Sequence, residues 1–221
     1  MPQATVHLLR HGEVHNPDGV LYGRLPEFHL SELGQQMARM LAEHFSDRAA
    51  QGAKIVHLAA SPLTRAQETA LPISEALGLE ITTEARIIEA ANYFEGLHVS
   101  RAEIFRPKHW PQLRNPFRPS WGEPYKEQAA RVRAAVQDAR LRAIELGGEG
   151  AEAILVSHQL PIWATRLSAE GKPLWHDPRK RECTLTSVTS LVFDDAGVLL
   201  RVDYSEPAAA LLPGAASTPG A

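Results

Sequence analysis

The sequence has little cysteine, no excess of positive charge and no long hydrophobic run, and each shortage removes a class of protein. Its 221 residues contain one cysteine, Cys183, so no internal disulfide can form and a reducing compartment, the cytoplasm, is expected. The formal net charge is −3, which offers no global basic field for nucleic acid or for an anionic membrane surface. No stretch reaches the length of a membrane span, and the opening segment MPQATVHLLRHGE lacks a long apolar signal region. Aromatic residues are sparse at 6%, but 44% of the chain is hydrophobic, enough for one sizeable core.

The apolar segments that are present alternate between two periods. TVHLLR, KIVHLAA and AEAILVSH are short, partly β-branched runs that read as buried strands. From Ser31, a plausible N-cap, Leu33, Met37, Met40, Leu41 and Phe45 share one helical face. Ser61-Pro62 reads as a cap with proline in the first helical turn. Leu63, Ala66, Ala70, Ile73 and Leu77 continue that helix to Gly78, with a kink expected at Pro72. LEITTEARII is a weaker strand-like segment. A long helix is expected over about 126–146, stopped by Gly147-Gly148, and a shorter one over LPIWATRLSAEG. TSVTSLVFDDAGVLLRVDY reads as a hairpin. The prediction is an α/β protein, a three-layer sandwich whose mostly parallel central sheet is flanked by helices. A single domain would span 1–205, interrupted by an irregular cap at about 104–125, and the Ala/Pro/Gly-rich residues 206–221 would form a flexible tail.

Two of the strands end alike. VHLLRHG and AILVSHQ each deliver a histidine at the strand's C-terminal end, His11 and His158, and KIVHLAASPLTRA delivers Ser61 and Arg65. In open α/β sheets ligands bind beyond those ends. Arg10, His11, Arg65 and His158 are therefore expected to converge on one pocket suited to an anion, above all a phosphate, which guanidinium binds in bidentate fashion. A zinc site on His7, His11 and His15 is the competing reading. Their spacing of four suits a helix, whereas the local pattern is strand then loop, so the three should diverge.

LLRHGEVHN, ASPLTRAQETA, RIIEAANYFEG, WGEPY with Arg131, and ILVSHQ occur in that order, and together they resemble the motifs of the histidine phosphatase superfamily, the phosphoglycerate mutase-like group. The resemblance covers roughly Thr5 to Tyr204. It implies that His11 is the nucleophile of a phosphohistidine mechanism, that Arg10, Arg65 and His158 hold the phosphoryl oxygens, and that Glu89 donates and retrieves the proton. It implies no metal and no cofactor, because the arginines supply the positive charge. Asn16, Tyr22 and Gly23 fall at substrate-contacting positions of relatives, a small phosphorylated molecule being the expected partner, and a homo-oligomer is compatible with the pattern. The implied activity is a phosphatase acting on small phosphomonoesters. A mutase with the same intermediate and a catalytically weak phosphate-ligand-binding protein remain as alternatives.

The chain departs from the family pattern at two points. After Glu89, Asn92 and Tyr93 stand where a glycine is usual, which leaves Glu95 as a fallback acid. After His158, Gln159, Leu160 and Pro161 replace small residues, so Gln159 is itself a candidate substrate contact. The cap carries Arg106, Lys108, His109, Arg114 and Arg118 among Trp110, Phe117 and Trp121. It reads equally as a clamp for a second anionic group or flat ring and as a solvated loop pinned by its aromatics. No role is expected for His29, His44, His57, His98, His109 or His176.

Overall fold

The computed structural model describes residues 4–98, 106–113 and 121–215. Six strands form one sheet in the order β3-β2-β4-β1-β5-β6. They are β1 (Ala4–Arg10), β2 (Lys54–Ala60), β3 (Ile81–Thr83), β4 (Ala151–Ser157), β5 (Val188–Phe193) and β6 (Leu199–Ser205). β5 alone runs against the rest, so the sheet is mixed with a parallel centre. The central strand β4 is buried along its whole length, as its unbroken apolar run requires.

Helices cover both faces. Successive β-residues point to opposite sides, so Val6 and Leu8 pack with Val132, Val136 and Ile162 of α4 (Tyr125–Gly147) and α5 (Gln159–Ala169). Leu9, Ile154 and Val156 pack on the other side with Leu41, Phe45 and Ile73 of α1 (Glu32–Ala50) and α2 (Thr64–Leu77). A further helical turn, α3 (Trp110–Leu113), lies in the cap.

Several local expectations hold for the stated reasons. The Ser31 hydroxyl accepts the Gly34 N–H at 2.9 Å and caps α1. Gly78 ends α2 in the left-handed region at φ 66°. The hairpin turn after β5 closes on the Asp194 carboxylate, which accepts the Val198 N–H.

Others are corrected. α2 starts at Thr64 with Leu63 at its N-cap, so Pro62 precedes the helix, and Ser61 does not cap it: its hydroxyl is taken by His158, 2.7 Å away. LEITTEARII yields only the three residues of β3, because the Glu84 carboxylate captures the Arg86 N–H and turns the chain into a 3-10 segment over Ala85–Ile87. The tail does not hang free as far as it is described. Ala208, which is buried, and the half-buried Leu211 and Leu212 pack against Leu33, Met37, Met40 and Leu185. Residues 216–221 lie outside the described residues.

The C-terminal part of the cap is anchored by backbone contacts and by Glu123, which pairs with Arg24 and Arg131. Tyr93 N–H donates to the Trp121 carbonyl and Glu123 N–H to the Ala91 carbonyl. A Cβ on Gly122 would stand 2.5 Å from the Ala91 oxygen, so this approach requires glycine. His109 is buried with its ring edge-on to Tyr93 and Phe94. Arg114, Phe117 and Arg118 lie outside the described residues.

Candidate functional site

The parallel strands β1, β2 and β4 bring their C-terminal ends together, and the register fixes which residues meet. Arg10 is paired with Ser157, so His11 and His158 leave adjacent strands side by side. Their rings are 5.2 Å apart. Arg65, in the first turn of α2, reaches the same point, with Nε 3.3 Å from Nε2 of His11. Arg10, His11, Arg65 and His158 are 4%, 1%, 1% and 0% exposed, so a charge within reach of them acts in a medium that screens poorly.

The hydrogen bonds select the histidine tautomer. Nδ1 of His11 donates to the Gly12 carbonyl at 2.8 Å, leaving the lone pair on Nε2. Burial lowers the His11 pKa well below the usual imidazole value, and the Arg65 and Arg10 charges lower it further. His158 is lowered in the same way, by burial first and then by Arg65, His11 and Arg10. Both rings are therefore neutral. The loop holding His11 is fixed from below: Gly12 N–H donates to the Thr69 hydroxyl, and that hydroxyl donates to the Arg65 carbonyl. A Cβ at Gly34 would stand 2.0 Å from the Glu13 oxygen, so the N-terminus of α1 packs directly on this loop.

Tyr22 and Gly23 join the site from the long loop after β1. The Arg65 guanidinium lies over the Tyr22 ring, 4.7 Å from its centroid, and Arg65 donates to the Gly23 carbonyl at 2.6 Å. Burial pushes the Tyr22 phenol up to about 12. Asn16 stands at the start of the same loop. Both ends of its amide are engaged with the Val20 backbone, closing the turn in between.

Beside these groups opens a cleft of about 130 Å³, apolar at Leu21 and Leu160 and polar at Glu89, Asn92, Gln159 and Arg181. Gly23 lines it too, which places the cleft next to the buried quartet through the Arg65–Gly23 bond. Burial raises the Glu89 pKa, against the pull of the Ala90 N–H, Arg65, Arg181 and Arg10. The backbone behind Glu89 is clamped. Its carbonyl accepts from Arg24 at 2.6 Å and from Arg131 at 3.4 Å, and Glu123 pairs with both arginines. Glu95, the fallback acid, has one carboxylate oxygen engaged by the Arg24 and Asn92 N–H groups and so shapes the loop.

Arg181 is the site residue that sequence reasoning missed. It sits in a loop far along the chain, in the run RKREC that reads as an ordinary charged turn, and nothing in its spacing ties it to the motifs. Gln159, expected as a substrate contact, does line the cleft, but its amide is committed: Oε1 accepts from Arg181 at 3.2 Å and Nε2 donates to the Cys183 carbonyl at 3.3 Å. His7 and His15 stand apart from His11. His7 bonds Ser190 and Glu152 on the sheet face, and His15 is exposed.

The comparisons agree with this geometry. The family model for the histidine phosphatase superfamily (branch 1) matches residues 6–203, and the chain belongs to that superfamily. It is 53% identical to the uncharacterized protein Rv0525 of Mycobacterium tuberculosis over 95% of this chain and 100% of that one. It is 30% identical to a protein of Enterobacter named "Probable phosphoglycerate mutase GpmB", covering 83% of each chain. The solved structure of the mycobacterial glucosyl-3-phosphoglycerate phosphatase Rv2419c superposes with a TM-score of 0.72 at 26% identity, covering 91% of this chain and 98% of the other. Both of these relatives that are named for an activity are named for phosphoryl-transfer chemistry. Among the described residues no helix is long and apolar enough to cross a membrane.

Proposed function

We propose that the protein is a phosphatase of small phosphomonoesters that works through a phosphohistidine on His11. The observation that carries this reading is that residues around His11 keep buried polar atoms with no partner among the described residues: Nε of Arg10, the Tyr22 hydroxyl and Nδ1 of His158. A buried donor left unpaired costs roughly 1–3 kcal/mol, and a bound phosphoryl group supplies acceptor oxygens in its place.

In this mechanism Nε2 of His11 attacks phosphorus, the P–O ester bond breaks, and the leaving oxygen takes the Glu89 proton. Water then attacks the phosphohistidine, Glu89 accepts a proton from it, and the N–P bond breaks to release inorganic phosphate. Arg10, Arg65 and His158 stabilise the non-bridging oxygens as charge shifts. The raised Glu89 pKa supports its acid role, since the carboxyl must carry a proton near neutral pH.

The relative named as a phosphoglycerate mutase favours a second reading, in which the phosphoryl group returns to substrate before water arrives. Hydrolysis of an aryl phosphate in excess EDTA, with His11→Ala alongside, tests the proposal. EDTA-resistant turnover that His11→Ala abolishes is the expected result. Turnover that persists in the variant, or that requires added metal, overturns it.

A further inference from the structure

A second cavity, of about 440 Å³, opens on the α1 side of the sheet, away from the strand ends that carry the proposed phosphoryl chemistry. Polar side chains cross its floor from strand to strand. Ser190 of β5 is paired with His7 of β1 and with Asp203 of β6, and Glu152 of β4 meets His7 from the other side. His7 precedes His11 by four residues of nearly extended chain, so this row lies roughly 13 Å from the nucleophile proposed above. The phosphoryl reaction makes no use of it. Stability does not call for it either, since well-packed apolar residues serve a buried position at least as well as an ionic network.

The row is a hydrogen-bonded relay. Nδ1 of His7 stands 2.8 Å from the Ser190 hydroxyl, and Nε2 stands 2.9 Å from a Glu152 oxygen. Arg48 of α1 holds both Glu152 oxygens, at 2.8 and 3.0 Å. Burial favours the protonated acid, but the bonds from His7 and Arg48 outweigh it and hold the Glu152 pKa below the usual value. Glu152 is thus a carboxylate that can only accept, so Nε2 of His7 carries the proton that faces it. In the neutral ring the lone pair is then on Nδ1, where the Ser190 O–H donates. A hydroxyl on a base that a buried acid orients is the signature of an activated nucleophile. His7 and Glu152 are 2% and 9% exposed, whereas Ser190 is half-buried and lines the cavity, so its oxygen is the reachable end of the relay. Val188 and Val192 flank Ser190 on the same face and give the cavity an apolar floor. Arg201 is paired with Val192, which puts it diagonally across from Ser190. Its ion pair with Asp203 is exposed and readily exchanged for another anion.

We propose that Ser190, His7 and Glu152 form a second catalytic site, a serine esterase for small carboxylic esters whose acyl group rests on Val188 and Val192. The Ser190 oxygen attacks the ester carbonyl carbon while its proton passes to Nδ1 of His7, and Glu152 balances the imidazolium. The carbon–oxygen bond to the alcohol breaks, and the alcohol leaves with the proton from Nδ1. Water then attacks the acyl-serine, gives its proton to Nδ1, and the carboxylic acid departs as that proton returns to Ser190. Arg201 faces the oxygen on which negative charge develops. This activity is independent of the phosphohistidine.

The probes are a fluorophosphonate, which captures nucleophilic serines, and 4-nitrophenyl butyrate, both at pH 8, above the ordinary imidazole range. The expected result is a label on the peptide that contains Ser190 and a butyryl adduct at the same residue after an acid quench. Excess inorganic phosphate, which would fill the His11 site, should slow neither. Ser190→Ala should remove both label and adduct, and Ser190→Cys should recover the adduct as a thioester. His7→Gln, with Ser190 still in place, should slow labelling by about 10²–10⁴-fold. Melting temperatures measured beside these rates separate a folding loss from a chemical one. A native protein that takes no label on Ser190 overturns the proposal, as does butyrate turnover equal in native protein and Ser190→Ala. Labelling that His7→Gln leaves unchanged overturns it too, because Ser190 then needs no base.

Discussion

Nε of Arg65 lies 3.3 Å from Nε2 of His11, and the same guanidinium donates to the Gly23 carbonyl on the cleft wall. One side chain therefore ties the proposed nucleophile to the substrate's entrance while resting on the Tyr22 ring. A lysine cannot make the planar fork these contacts use. Arg65→Lys should lower kcat by about 10²–10³, the scale for losing one donor to a developing oxyanion. Steady-state kinetics on an aryl phosphate check this, and a change below threefold would remove Arg65 from the mechanism.

Glu89 should show activity and stability in opposition. Its folded pKa is raised, so the folded state holds a proton that the unfolded chain releases as pH rises. Stability is thus lost as pH climbs above the ordinary carboxyl value toward the folded one. Glu89→Gln removes that penalty. The variant should lose about 10²–10⁴ in kcat and yet melt at a higher temperature than the native protein at neutral pH. Calorimetry beside kinetics checks both halves.

His11 and His158 set the acid limb of stability with the opposite sign. Their folded pKa values are depressed, so below about 6.5 the unfolded chain binds protons that the folded one refuses. Stability is full above that pH and declines as pH falls through it. Chemical denaturation from pH 7.5 to 5 should show the decline, and His158→Gln should flatten it.

The Glu123 carboxylate joins Arg24 and Arg131, whose guanidinium groups both donate to the Glu89 carbonyl. Glu123→Ala should cost on the order of 2 kcal/mol, moderated by the part-exposed Arg24. It should lower kcat more than it raises KM, because the acid is displaced rather than the phosphate site. A pure stability loss at unchanged kcat would show that the clamp has no bearing on Glu89.

Most of the architecture was legible because it rests on periodicity. The apolar runs of β1 and β4 are buried strands as expected, β2 is buried over its last three residues, and the Ser31 and Gly78 signals mark helix ends by local chemistry alone. The convergence of Arg10, His11, Arg65 and His158 followed from strand ends meeting at one edge of a parallel sheet. What failed depended on contacts distant in sequence. Ser61 looked like a cap until His158, 97 residues away, claimed its hydroxyl. Arg181 gained its place only through Gln159 and His176.

The central claim is the covalent intermediate, and trapping it is the most direct measurement. Native protein mixed with an aryl phosphate in EDTA and quenched in alkali within the first turnovers should yield a peptide phosphorylated on His11, and His11→Ala should yield neither label nor turnover. Sustained turnover by the native protein with no phosphate on His11, and with His11→Ala equally active, would contradict the account.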